Sequence, residues 1–109
     1  MGYGRGNGRS TLSHLRLTEA AIADISRLRR FLIDKNPRAA QRAVAAIRER
    51  LIAVTETPQA GRPVPNLDPF REILIPFGDG GYLARYRYDE STDTVYVVAI
   101  RHQRESGST

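Results

Sequence analysis

At 109 residues, with 40% apolar and 27% charged side chains, the chain is sized for one soluble domain with one modest core. It has no cysteine, which excludes a disulfide frame, a thiolate nucleophile and a Cys-based metal site, and no apolar run approaches the roughly 18 residues that span a bilayer. Only Lys35 among its 17 lysine and arginine residues is a lysine, and the net charge of +5 points to a polyanion or an acidic partner protein, unless the arginines reflect only GC-rich codon usage.

In chain order, residues 1–12 carry Gly2, Gly4, Arg5, Gly6, Gly8 and Arg9 and read as a flexible basic tail. They lack the apolar stretch of a signal peptide, so a cytoplasmic protein without membrane contact is expected. A single domain over 13–105 and a flexible end at 106–109 complete the organisation. His14-Leu15-Arg16-Leu17 alternates as a short strand. Thr18 then offers an N-cap, with Glu19 in the first turn to suit the helix dipole. Ile22, Ile25, Leu28 and Leu32 recur at helical spacing as far as about Lys35. Asn36 caps a second helix, and Pro37 takes its first turn, where a missing N–H costs nothing. The second stripe is Ala40, Val44, Ile47, Leu51 and Val54. So short a connector forces an antiparallel αα-hairpin.

Four prolines and Gly61 between Pro58 and Pro69 predict a loop without regular structure. Three strands follow, Phe70–Phe77, Tyr82–Tyr88 and Thr94–His102, joined by Gly78-Asp79-Gly80-Gly81 and Asp89–Asp93. Pairing Phe77 with Tyr82, and Tyr88 with Thr94, collects Ile73, Ile75, Phe77, Tyr82, Ala84, Tyr86, Tyr96, Val98 and Ile100 on one face. That face is expected on the helices, with Ile22, Ile25, Leu28, Leu32, Val44, Ile47 and Leu51 opposite. The fold class is therefore α+β: a short N-terminal strand and an αα-hairpin packed on one face of a three- to four-stranded antiparallel sheet.

The other face gathers Glu72, Leu74, Arg85, Arg87, Val95, Val97 and Arg101. Glu72 is placed opposite Arg87, which would make an ordinary cross-strand pair. An apolar floor of Leu74, Val95 and Val97, with Arg85, Arg87, Arg101 and the nearby Arg104, suits an acidic amphipathic peptide or a nucleic acid. His102 and Glu105 close the last strand as the one pair suited to proton transfer. A metal-free ribonuclease could use His102, Glu105, Arg85 and Arg101 as base, acid and phosphate-holding cations, although a histidine ending a strand is more often structural. No metal or other cofactor is expected, since the only other histidine, His14, is distant in sequence and cysteine is absent.

The order of these features resembles the RelE/ParE superfamily of toxins. The resemblance rests on Asn36-Pro37-Arg38-Ala39-Ala40 at the hairpin bend, Pro58-Gln59-Ala60-Gly61-Arg62-Pro63 after the second helix, Arg71-Glu72, and the closing Val98-Ala99-Ile100-Arg101-His102. It implies the toxin of a type II toxin–antitoxin system, held in a hetero-oligomeric complex by a cognate acidic antitoxin, ParD-like or similar. The bend, the Gly61-Arg62 loop and the Arg101-His102 ending look most like the ParE-like, plasmid-stabilisation branch, which is associated with DNA gyrase. The RelE-like branch, which cuts mRNA on the ribosome with basic and aromatic groups on the open sheet face, is the alternative. Arg85, Arg87 and Arg101 occupy comparable places, but no aromatic follows Ile100. A non-toxic member that only binds its partner is the third possibility.

Overall fold

The computed structural model of the chain describes residues 14–103. The expected basic tail, Arg104, Glu105 and the C-terminal residues lie outside the described residues. The elements run β1 (His14–Leu17), α1 (Glu19–Lys35), α2 (Pro37–Glu56), β2 (Arg62–Pro63), β3 (Arg71–Phe77), β4 (Gly80–Asp89) and β5 (Thr94–His102). The α+β architecture is the expected one, with one helical layer on one sheet. The sheet is larger than expected, with five strands in the order β1-β5-β4-β3-β2. It is also mixed, because β1 lies parallel to β5 while the other pairs are antiparallel. The loop after α2 supplies β2, whose Arg62 and Pro63 pair with Glu72 and Arg71. Proline is tolerated there because β2 is an edge strand.

The helix starts form as their sequences dictate. The Thr18 Oγ1 accepts the Ala21 N–H at 3.2 Å and donates to the Val97 carbonyl at 3.0 Å, so the cap also fastens α1 to β5. Asn36 Oδ1 accepts from Arg38 and Ala39 at the start of α2, with Pro37 in its first turn. The inward stripes are rotated from the expected ones. Ala21, not Ile22, is the buried residue of α1, and Ile22 is 51% exposed. On α2, Ala40 and Ala43 are buried while Val44 is only half-buried. Small residues let backbones approach closely, so closeness of packing outweighed side-chain hydrophobicity in setting the rotation. Ile25, Leu28 and Leu32 line the edge of the core, and Ile47, Leu51, Ile73, Ile75, Tyr86 and Ile100 are inside as expected.

Both hairpins depart from the expected register, with different consequences. The β3–β4 connection is a two-residue turn, Gly78-Asp79, so that Phe77 pairs with Gly80 and Ile75 with Tyr82. Gly78 takes φ +62°, a conformation glycine adopts freely. This slip of two residues keeps every side chain on its expected face. At the other hairpin Asp89 pairs with Thr94, a slip of one residue, and that inverts the face. Val95 and Val97 are consequently fully buried in the core, not on the open face, and Tyr96 points away from the helices. The ladder shifts again opposite Arg85 and Tyr86, where Val98 is an extra residue in β5. The bulge restores the parity, so Ile100 is buried and Arg101 exposed, as expected. Val98 itself is half-buried outside the core cluster.

Two polar devices hold this frame. Tyr86, fully buried, donates its hydroxyl to the Pro58 carbonyl at 2.8 Å and accepts the Gly61 N–H at 2.8 Å. Burial raises the Tyr86 pKa, opposed by the Gly61 hydrogen bond and by the Arg71 and Arg50 cations. A β-carbon on Gly61 would stand 2.5 Å from that hydroxyl and 2.9 Å from the Glu72 carbonyl, which is why glycine sits there. The second device is Asp24 of α1. Its carboxylate accepts the Ile100 N–H at 2.9 Å and pairs with Arg27 at 3.0 Å. It thereby satisfies β5 beyond the reach of β1, which pairs only with Thr94–Val97.

Candidate functional site

The open face of the sheet carries the arginine set, though in a different pairing from the one expected. Arg85, not Arg87, meets Glu72, its Nε and Nη2 lying 3.1 and 2.8 Å from one carboxylate oxygen. The two-residue slip at the β3–β4 turn places Arg85 directly opposite Glu72. Both side chains keep roughly a third of their surface in solvent, so the pair contributes little to stability, up to about 1 kcal/mol. Arg87 lies over the Tyr96 ring with its guanidinium carbon 4.4 Å from the centroid. Arg101 is exposed opposite Leu83, and Leu74 is 41% exposed on β3. With Val95 and Val97 buried, Leu74 is the one residue of the expected apolar floor that stays on this face. Leu83, Tyr96 and Val98, half-buried, take the place of the other two.

His102 is not with the arginines. It pairs with Tyr82, a core-face residue, and the two rings meet edge-on with centroids 5.5 Å apart. Its neighbour Arg101 necessarily points to the opposite side of the sheet. The set His102, Arg85 and Arg101 is therefore divided between two faces. Glu105 and Arg104, the other two members of the C-terminal cluster, lie outside the described residues. Among the described residues no group of three or more His, Asp or Glu side chains could hold a metal ion.

His102 instead lines an open groove of about 640 Å³ between the second half of α1 and the β3–β4 turn. Leu28, Phe31, Leu32, Phe77 and Tyr82 form its walls, and Arg27 and Asp79 stand at its margin. Phe77 and Tyr82 stack with centroids 6.0 Å apart, and burial raises the Tyr82 pKa. Phe31 is 60% exposed, the largest exposure of any bulky apolar residue described. An apolar cleft with one protruding aromatic is suited to receive an apolar anchor from another chain. Sequence reasoning missed it. The available signal was Phe31 itself, an aromatic beside Leu32 but off the core stripe, together with Phe77 closing a strand.

Comparison with known proteins agrees with this architecture. The sequence profile described as "ParE toxin of type II toxin-antitoxin system, parDE" matches residues 15–107. The chain is 40% identical over 85 residues to Toxin RelE1 of Caulobacter vibrioides, covering 78% of this chain and 87% of that protein. Among solved structures it superposes on the chromosomal ParDE system from P. aeruginosa with a TM-score of 0.67 at 21% identity, over 85% of this chain and 98% of the other. The toxin–antitoxin complex RelBE2 from Mycobacterium tuberculosis gives a TM-score of 0.61 at 22% identity, over 89% and 98%. At those identities the two structures speak for the fold alone. No helix among the described residues is long and apolar enough to cross a membrane.

Proposed function

The chain belongs to the ParE toxin family of type II toxin–antitoxin systems, and on that premise we propose that it arrests bacterial growth by gripping a protein target, DNA gyrase, in the cytoplasm. The observation that carries this reading is the division of Arg101 and His102 between opposite faces of the sheet. Metal-free RNA cleavage needs a proton acceptor and phosphate-holding cations around one phosphodiester. On the open face Arg85, Arg87 and Arg101 lack the His102 imidazole, and the other histidine, His14, stands at the sheet's far edge on β1, paired with Thr94. Arginines beside Leu74, Leu83 and Tyr96 suit contact with a folded partner, where arginine and tyrosine supply much of the binding energy.

A RelE-like, ribosome-dependent mRNA endonuclease is the second reading, favoured by Tyr96 lying under Arg87 on the arginine face. Expressing the chain alone separates the two. Gyrase poisoning gives filamentation and early DNA-damage signalling with transcripts intact; cleaved transcripts on translating ribosomes without damage signalling refute it. Normal growth identifies a family member that only binds its partner. Two variants sharpen the test. His102→Gln leaves toxicity nearly intact under the gripping reading, whereas Arg101→Ala reduces it. The reverse pattern establishes cleavage, for which loss of a proton-transfer group costs on the order of 10²–10⁴ in rate.

The neutralising partner is an acidic antitoxin in a hetero-oligomeric complex, and its apolar anchor fills the groove around Phe31. The open face lost Val95 and Val97 to the core, whereas the groove gathers Leu28, Phe31, Leu32, Phe77 and Tyr82 in one cleft. Burial there contributes at roughly 25 cal/mol per Å² before the cost of association is subtracted.

A further inference from the structure

A cleft of about 520 Å³ opens between the loop that precedes β3 and the turn that joins β4 to β5. Asp68 lines it from the loop side, Asp89 and Glu90 from the turn side. Among the described residues no cation stands within salt-bridge distance of any of the three. The Asp89 carboxylate accepts the Ser91 hydroxyl at 2.7 Å and the Ser91 N–H at 3.0 Å, which holds its pKa below the usual value and keeps it ionised. Arg71 and Arg87 also line the cleft, but each is held on other partners. Arg71 donates to the Gln59 and Gly61 carbonyls, and Arg87 lies over the Tyr96 ring. Pro58, Pro63 and Phe70 add apolar walls, on which the methylene stem of an arginine packs while its head reaches the carboxylates.

The chain itself supplies such a guest at the rim. His14 donates its N–H to the Asp93 carbonyl at 2.8 Å, in that same turn, and it pairs with Thr94, which pairs in turn with Asp89. Because β1 runs parallel to β5, it starts at the end of the sheet that carries the turn, two strand spacings or about 10 Å from Asp89. Residues 1–12 carry Arg5 and Arg9 and no acidic residue. Arg9 lies five positions before His14, a reach of up to about 17 Å.

We propose that this N-terminal segment docks in the cleft of its own chain, with the Arg9 and Arg5 guanidinium groups on the carboxylates of Asp68, Asp89 and Glu90. Each guanidinium can hold a carboxylate in two parallel hydrogen bonds. So short a tether keeps the arginines at a local concentration on the order of millimolar, which favours the chain's own segment over a second copy. Arg87 borders both the cleft and the arginine face of the sheet, so the docked segment closes one end of that face, whichever target it grips.

The test uses the full chain. It has no cysteine, so Asn7→Cys gives a single site for a nitroxide, and paramagnetic broadening of backbone amides in NMR spectra reports where the segment lies. The tether alone broadens amides near His14, whereas Asp68, Phe70 and Arg71, across the cleft, are broadened only by docking. That broadening is expected, and Arg5→Glu with Arg9→Glu should reduce it about threefold or more by setting like charges against each other. Asp68→Asn with Glu90→Gln, two exposed substitutions that leave Asp89 and its turn in place, should reduce it as well. So should salt near 1 M, where the screening length is about 3 Å. Broadening at these amides unchanged by all three perturbations, or absent from them, overturns the proposal. If isotope-labelled chain without nitroxide is broadened there by nitroxide-bearing chain without isotope, the occupant is a second copy and the proposal is overturned in its favour.

Discussion

Replacing Tyr86 with phenylalanine removes one oxygen and leaves the ring, so no cavity forms and the effect isolates two hydrogen bonds. The buried Gly61 N–H loses its acceptor and the half-buried Pro58 carbonyl loses its donor. A buried donor left unpaired costs about 1–3 kcal/mol, whereas water can reach a half-buried carbonyl and recover most of its bond. The net destabilisation is therefore about 2 kcal/mol, which for a domain of this size lowers the melting temperature by roughly 8–16 °C. Circular dichroism through a thermal ramp measures the shift, and urea melts should show a lower midpoint with an unchanged slope. The loss should also be local. Hydrogen exchange at Gly61 accelerates well before exchange at Ile75, since the Pro58–Gly61 segment detaches while the sheet stays intact. A Tyr86→Phe variant that melts within about 2 °C of the parent would refute the reasoning and show that the segment is held without the hydroxyl, by the Arg71 guanidinium donating to the Gln59 and Gly61 carbonyls and by the β2–β3 pairing.

Removing the Asp24 carboxylate, as in Asp24→Ala, strands the Ile100 N–H and should cost about 1–3 kcal/mol, with the earliest exchange at Ile100 in hydrogen-exchange measurements. The inverted face of β5 is tested by one substitution at two sites. Val97→Asp buries a charge and should abolish soluble folded protein, while Leu74→Asp on the open face should fold with a nearly unchanged melt. Equal solubility of the two would return Val97 to the surface. Phe31→Ala should weaken the cognate antitoxin by about 2 kcal/mol, close to thirtyfold, mostly through faster dissociation, with the fold intact by circular dichroism. An unchanged affinity in a surface-binding assay places the antitoxin elsewhere.

Apart from β2, which the prolines of its loop concealed, the element order, both helix caps and the helical hairpin were legible because each depends on a local rule: Thr18 and Asn36 as caps, Pro37 in a first turn, apolar residues at helical spacing. The core face of β3 and β4 was legible too, since a slip of two residues conserves parity. Strand β5 was not. Every residue from Val95 to Ile100 is apolar or aromatic, so alternation gives no phase, and the phase comes from the turn length at Asp89 and the bulge at Val98. The helix rotations escaped for a related reason, because hydrophobicity ranks Ile22 and Val44 above Ala21 and Ala43 while close packing prefers the small residue. Of the candidate site, the shared face of Arg85, Arg87 and Arg101 was legible, and alternation from Ile100 puts His102 on the other one. The groove draws on residues from α1, β3 and β5 that no linear spacing connects.

The bulge at Val98 makes the sidedness of the chain's end a matter of counting. With one extra residue in β5, Ile100 falls on the core side, Arg101 on the solvent side and His102 beside Tyr82 in the groove. Delete that residue and hold the hairpin fixed, and the same amino acids trade places: Ile100 turns to water, Arg101 toward the core, His102 to the arginine face. No change of composition would be needed to bring the imidazole among the guanidinium groups, only a change of length. Burial of the Ile100 side chain opposes that exchange, so an aliphatic residue two positions from the histidine works as a lock on which surface receives it. Among relatives of this fold, a one-residue insertion or deletion in the last strand can thus re-sort which groups share a face while leaving every individual residue recognisable.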